Sequence, residues 1–253
     1  MECPSCSSAA IWSHGSYRGY NAYECSKCRT RFSERTFSPF YGMNFPDAVI
    51  RFAVKTHYKY RLSTADTSRL LADLGIIVSD EAVRLWVQWF TELLKDELQL
   101  KRKYSKQWHV DESFVKVGSE QGYLWTVVDS NNNLLSIFLS EHRDGKSAVR
   151  CLQLAYKEAG FMPDVVVSDG YDAYPKAVRK TFGRGKVKHA VAHFKKEMFL
   201  VKGKVKMLSN NRIEGLFSHI KEHYHRFRGF KSFIAGNVIV NGIKLFYNLR
   251  HLS

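Results

Sequence analysis

QWHVDESFVKV, residues 107–117, decides the fold. Trp108, Val110, Phe114, Val115 and Val117 give it the apolar, β-branched texture of a strand, bounded by the turn-forming GSEQG at 118–122. Two acids sit inside it. A strand places successive side chains on opposite faces, so Asp111 and Glu112 point apart. Burying an unpaired carboxylate is costly. Asp111 therefore either is paired with a cation or has a chemical task.

Downstream, GYLWTVVDS (122–130) and NLLSIFLSEH (133–142) are two further apolar runs separated by SNNN. Three consecutive antiparallel strands follow from this. DGKSAVRCLQLAYKEAG (144–160) reads as an amphipathic helix ending at Gly160, with Cys151 a small buried apolar residue. DVVVSDGY (164–171) is a short, wholly apolar strand of the type buried in a parallel arrangement. YPKAVRKTF (174–182) is helical and VKHAVAHF (187–194) is a fifth strand. NNRIEGLFSHIKEHYHRF (210–227) and FIAGNVIVNGIKLFYNLRH (233–251) are long helices. The order βββαβαβα is that of an α/β layer fold, and it is the order expected of a ribonuclease-H-like core.

Upstream, Cys3-x2-Cys6 and Cys25-x2-Cys28 are separated by eighteen residues. Two such knuckles can close a tetrahedron around one structural Zn²⁺. Disulfides are the competing arrangement. The first residues carry no secretory signal, which points to a reducing compartment, the cytoplasm. A zinc ribbon over residues 1–40 follows. A helix is expected from about Phe45-Pro46-Asp47 to Lys59, with the proline in its first turn. LSTADTSRLLADLG opens at Ser63 and Asp66 and stops at Gly75. VSDEAVRLWVQWFTELLK presents Ala82, Trp86, Trp89, Phe90 and Leu93 at helical spacing. A short turn joins the two helices, and the second exposes Arg84 and Gln88. That is equally a plain helical hairpin or a helix-turn-helix. The basic balance of the chain favours DNA, so residues 41–100 are assigned to a helix-turn-helix segment and 101–253 to the core.

The net charge of +15 suits a polyanion partner. It is concentrated: Lys176 to Lys206 holds eleven Lys or Arg and one acid, Glu197. Such a stretch reads as a phosphate-facing strip or loop. No apolar run is long enough for a membrane span.

Three acids remain for chemistry: Asp111, Asp169 at the end of VVVSD, and Glu214 in the first turns of the helix opening at NNRIE. If the first and fourth core strands are neighbours, Asp111 and Asp169 converge at one end of the sheet, where α/β folds place ligands. Each has an ordinary explanation. An Asp before Gly forms turns, and a Glu near a helix start favours the macrodipole. Mid-strand Asp111 has none. Clustered carboxylates tolerate one another around two Mg²⁺ or Mn²⁺ ions, which suit in-line phosphoryl displacement. Among the other acids, Asp129 is expected to shape a hairpin, Asp172 to cap a helix, and Glu222 to face solvent. His109, His189 and His193 are expected on strands, hydrogen-bonded. His219, His223 and His225 on the basic helices are expected to meet phosphate or backbone rather than metal.

WHVDESFVKV, VVVSDGYDAYPKAV and SNNRIEGLFSHIKEHYHRFRGFKS together resemble the catalytic core of a DDE transposase. The nearest likeness is to family-six prokaryotic insertion sequences and related groups bearing a zinc ribbon. The resemblance runs from about Ser63 to the C-terminus. It implies that Asp111, Asp169 and Glu214 bind the metals, that element ends are cleaved, and that 3′-hydroxyls are joined to target DNA. It implies a homodimer or higher multimer acting on terminal inverted repeats in the nucleoid. The 44 residues between Asp169 and Glu214 exceed that family's commonest gap, and the surplus falls in the Lys-rich piece from Arg184 to Lys206. Lys221, two turns beyond Glu214, is expected near a phosphate. Arg226, Arg228 and Lys231 are expected to grip the backbone, while Asn210 and Asn211 cap the helix. The rivals are a catalytically inactive or domesticated transposase serving as a DNA-binding regulator, and a ribonuclease-H-type nuclease.

Overall fold

The computed structural model describes residues 1–17, 19–97, 103–192, 197–208 and 211–249. His193 and Asn210, singled out above, lie outside the described residues. The chain divides into two compact units, Met1–Ala53 and Val54–Ser253.

In the first unit, β1 (Ile11–Tyr17), β2 (Tyr20–Cys25) and β3 (Arg31–Ser33) form an antiparallel sheet in that order. Its core is small: Cys3, Cys25 and Phe32 are buried, with Cys6, Ile11 and Tyr23 packed against them. Arg35 is buried and ties the unit together. Its Nε lies 2.9 Å from Asp47 Oδ1, and its Nη1 donates to the carbonyl of Met43 at 2.8 Å. Helix α1 (Asp47–Lys59) begins after Pro46, whose carbonyl accepts from Val49 and Ile50. The proline thus precedes the first turn rather than sitting in it.

The second unit opens with α2 (Thr64–Asp73) and α3 (Asp80–Glu97). The Ser63 hydroxyl accepts from the Asp66 N–H at 3.0 Å, and Gly75 takes φ +78°, as the capping signals require. The buried stripe of α3 is Val83, Trp86, Val87 and Phe90. Trp89, expected on that face, is 52% exposed. Val83, Trp86, Val87 and Phe90 fill the i, i+3, i+4, i+7 face, and Trp89 falls at its edge, turned about 100° away from the centre of the stripe.

The core sheet is β4 (Gln107–Val117), β5 (Glu120–Asp129), β6 (Leu134–Ser140), β7 (Val165–Ser168) and β8 (Lys188–Val191) in the order β6-β5-β4-β7-β8. The β4–β5 and β5–β6 pairs are antiparallel; β4–β7 and β7–β8 are parallel. Helix α4 (Gly145–Ala159) and α5 (Ala173–Phe182) supply the crossovers. This is a mixed α/β, ribonuclease-H-like fold. One face packs Trp108, Val110, Trp125, Val127 and Val166 against α4 and α5. Cys151 is buried there, its thiol pushed up to about 12 by burial. The Asp129 side chain accepts from the N–H groups of Ser105, Asn131 and Asn133, and so shapes the β5–β6 turn as expected.

The basic strip expected between Lys176 and Lys206 is partly a hairpin, β9 (Glu197–Val201) and β10 (Lys204–Leu208). Lys202 and Gly203 both take positive φ, as a two-residue hairpin turn demands. Phe199 and Val201 pack on Val165, Val167, Ala190 and Ala192, on the opposite face of the sheet from α4 and α5. Alternation turns Met198 and Leu200 outward. Helices α6 (Asn211–Arg226) and α7 (Phe233–Leu249) end the chain. α6 packs on β4 and β5, and α7 on β6 and α3.

Candidate active site

Strand register builds the site. In the parallel β4–β7 pair, Gln107 lies beside Val165, Trp108 beside Val166 and His109 beside Val167. Asp111 stands on β4 two residues beyond His109, the last residue paired with β7, and Asp169 follows the last residue of β7. β7 ends at Ser168, while β4 continues, paired only with β5, where Asp111 faces Thr126. The acids therefore flank the place where the two strands part. Trp108 and Val110 pack under α4 and α5, so Asp111 points to the other side of β4; α6, which packs on β4, carries Glu214 in its first turn, and the Glu214 charge is felt at Asp111.

Asp111 is half-buried. Burial, then the charges of Asp169, Glu112 and Glu214, push its carboxyl up to about 7, against the pull of the Glu112 N–H, which donates to Oδ1 at 2.8 Å. The three acids thus share one electrostatic neighbourhood. Their oxygens are not drawn into a tight knot: among the described residues, only the cysteine group brings three or more ligand atoms within 4.8 Å. Asp169 is half-buried, and its Oδ1 accepts from the Tyr171 N–H at 3.1 Å. Glu214 is exposed.

Behind the acids lies a network that sequence reasoning missed. Glu112 points to the opposite face from Asp111, as alternation requires. Its carboxylate takes an ion pair from Arg143 and a hydrogen bond from the Tyr174 hydroxyl. Arg143 also stacks on the Tyr171 ring, 4.0 Å from its centroid, and the Tyr171 hydroxyl donates to the Arg143 carbonyl at 3.0 Å. Thirty-one residues separate Glu112 from Arg143. No periodicity marks such a pair; only the sheet brings it together.

The other expected residues divide. Lys221 is exposed, as are Arg226, Arg228 and Lys231. Arg84 is exposed but ion-paired with Glu81, and Gln88 is half-buried. Asp172 stands at the N-cap of α5 without a side-chain cap bond. Glu222 is half-exposed and pairs with Arg61. Among the histidines, His109 is buried beside Gln107, and His189 Nε2 lies 2.9 Å from Ser168 Oγ. His219 Nδ1 lies 2.7 Å from Arg61. His225 is exposed. His223 is buried, ringed by His219 and Phe227 rather than turned to a phosphate. Its position on the apolar stripe with Ile213, Leu216 and Ile220 outweighs its polarity.

In the first unit, the sulfurs of Cys3, Cys6, Cys25 and Cys28 all lie within 4.8 Å of one another, unbridged. Cys3 Sγ is 3.5 Å from Cys28, and Cys6 Sγ is 3.6 Å from Cys25. The Thr30 hydroxyl, 3.2 Å from Cys28 Sγ, pulls that thiol down to about 6. Four sulfurs from two knuckles, one already inclined to ionise, are compatible with a zinc ribbon.

Comparison with known proteins shows the family. A family model described as a DDE domain matches residues 105–253. The transposase for insertion sequence-like element IS431mec of Staphylococcus aureus is 28% identical over 209 residues, covering 81% of this chain and 85% of that protein. The transposase for insertion sequence element IS257 in transposon Tn4003, from the same species, is similar to the same extent. Among solved structures, the HTLV-2 integrase catalytic core domain in complex with magnesium aligns with a TM-score of 0.40 and 14% identity, over 59% of this chain and 89% of that one. With more than half of its length under the family match, the chain belongs to the DDE-domain family, as a transposase of a prokaryotic insertion sequence.

Proposed function

We propose that Asp111, Asp169 and Glu214 bind the divalent metal of this transposase, and that it cleaves the insertion-sequence ends and joins their 3′-hydroxyls to target DNA. What supports this is that Asp111 on β4 and Asp169 just past the end of β7 stand where the two strands part and feel each other's charge, with Glu214 also felt at Asp111. A hard, all-oxygen donor set of three acids suits Mg²⁺ or Mn²⁺. Two such ions, when bound, would activate the attacking water or 3′-hydroxyl and neutralise the leaving oxygen. The protein's own part is positional. β4 fixes Asp111 from a rigid strand. The Tyr171 N–H orients Asp169. Glu214 approaches from α6, so helix packing completes the set. Lys221, one helical repeat from Glu214 on the same side of α6, meets a phosphate there, and Arg226, Arg228 and Lys231 hold the backbone beyond it.

Residues 1–40 act as a zinc ribbon on one Zn²⁺. Residues 41–100, with Arg84 and Gln88, contribute to reading the terminal inverted repeats, and residues 101–253 are the catalytic domain. The protein acts on the nucleoid as a homodimer or higher multimer, because two ends must be held together.

The test is strand transfer with Mg²⁺ on native flanking ends. Asp111→Asn, Asp169→Asn and Glu214→Gln are each expected to lower joining by about a thousandfold or more, several kcal/mol of transition-state stabilisation, while end binding persists. Joining at the wild-type rate by any of them removes that residue from the site. A wild-type protein that binds ends but neither nicks nor joins them is a regulator. Arg226→Ala should lower the salt slope of DNA binding by about one; an unchanged slope removes that contact.

A further inference from the structure

We propose that Arg143 is a positioning residue for the reaction: its guanidinium ties the residue after Asp111 to the turn after Asp169 and so sets how far apart the two acids stand. This rests on the metal-site reading above. The links start from the Glu112 side chain, on the face opposite the Asp111 side chain, and reach each acid through a backbone N–H. Arg143 grips the carboxylate of Glu112, whose side chain is only 4% exposed, and the Tyr174 hydroxyl holds the other Glu112 oxygen. Glu112 is the residue whose N–H donates to Asp111. On the other side, Arg143 stacks on Tyr171, which also donates its hydroxyl to the Arg143 carbonyl. Tyr171 is the residue whose N–H donates to Asp169. Tyr171 and Tyr174 meet edge to face at 5.6 Å, closing the ring.

The two acids need such a brace. β4 and β7 are hydrogen-bonded only up to His109 and Val167. Beyond that pair no ladder holds Asp111 and Asp169 at a fixed separation, and their like charges push them apart. Two-metal chemistry tolerates little error in ligand spacing, since a displacement of about 1 Å can cost on the order of a hundredfold. Arg143, Glu112 and the two tyrosines supply the missing cross-link from behind.

The experiment uses the full-length, zinc-loaded chain. Mn²⁺ binding is followed by electron paramagnetic resonance without DNA, and strand transfer is measured against Mn²⁺ concentration. Arg143→Gln is expected to weaken Mn²⁺ binding about ten- to a hundredfold, the usual effect of losing a group that orients a metal ligand. Excess Mn²⁺ should recover part of the joining rate. DNA affinity and its salt slope should stay as in the wild type. Arg143→Lys, which keeps the charge but not the two-pronged grip, is expected to fall between. If Arg143→Gln does not fold, Glu112→Gln/Arg143→Gln removes both charges and carries the same expectation. Wild-type Mn²⁺ affinity in the folded variant overturns the proposal, and so does a reduced salt slope with Mn²⁺ affinity unchanged, which makes Arg143 a phosphate contact. Asp111→Asn separates the two readings. Loss of Mn²⁺ binding there, with Arg143→Gln unaffected, sinks only the brace; full Mn²⁺ binding by Asp111→Asn sinks the metal site itself.

Discussion

Asp111 carries its charge where a strand would otherwise hold an apolar side chain, and this has a thermodynamic signature. An unfolded aspartate titrates near 3.8, whereas burial and the acids around it push the folded group up to about 7. Below about pH 4 both states hold the proton, and the group leaves stability unchanged. Between about pH 4 and pH 7 the unfolded carboxyl has given up its proton while the folded one still holds it, so stability is lost across that window, and the loss is complete once the folded group ionises above 7. At ~1.4 kcal/mol per tenfold change in proton affinity, the loss reaches about 4 kcal/mol. In metal-free protein, Asp111→Asn should therefore raise Tm at pH 8 and leave it unchanged at pH 4. Equal gains at both pH values would mean that the asparagine stabilises through packing instead. Asp111 was legible in the sequence because an acid in the middle of a strand with apolar flanks is uncommon. Glu112 was legible only in direction. Its partner Arg143 was not legible at all, because an ion pair across a sheet leaves no local pattern.

Elements explain which other expectations held. The capping chemistry of α2, at Ser63 and Gly75, is local and was readable. The hairpin β9–β10 was hidden beneath its lysines: KEMFLVKGKVKML alternates and contains a Lys202-Gly203 turn, but its charge read as a phosphate strip. The same lesson applies to Trp89 and His223, where helical geometry overrides residue type. Helix α7 offers a direct check on packing. A Cβ on Gly242 would stand 2.0 Å from Cζ of Tyr58, a buried ring stacked on Phe246 and hydrogen-bonded to Thr91. Gly242→Ala should cost roughly 1–3 kcal/mol or more by overpacking. Gly215 on α6 meets nothing within 4 Å. Gly215→Ala should be neutral or gain about 0.5–1 kcal/mol from helix propensity. Urea denaturation of the two variants checks both, and equal effects would mean that the α7 contact yields freely.

At the scale of the whole chain, the two units differ in what holds them. Val54–Ser253 has a five-stranded core. Among its described residues, Met1–Ala53 buries few apolar side chains: Cys3, Cys25, Phe32, Phe40, Ile50 and Ala53. A unit of that size usually needs a metal or a cross-link. Stripping zinc with a chelator, or substituting Cys25→Ser, should abolish amide protection over β1–β3 while β4 and β5 keep theirs, as read by hydrogen exchange. Protection retained in β1–β3 without metal would show that the ribbon's apolar contacts suffice. The spacing of the four cysteines made this unit the most legible part of the sequence, because ligand geometry is written in short intervals. The order of core strands was legible too, whereas the way β4 outruns β7 was not.

That unequal reach of β4 and β7 has a further consequence. Parallel strands slip only in whole residues, and each single step turns every side chain to the opposite surface. A one-residue slip of β7 would therefore carry the chain leading into Asp169 to the other surface, whereas smaller displacements of Asp169, past the last strand residue, are left to the brace behind it. A copy folded with β7 out of register should lose the acid pair altogether rather than keep it in a loosened form.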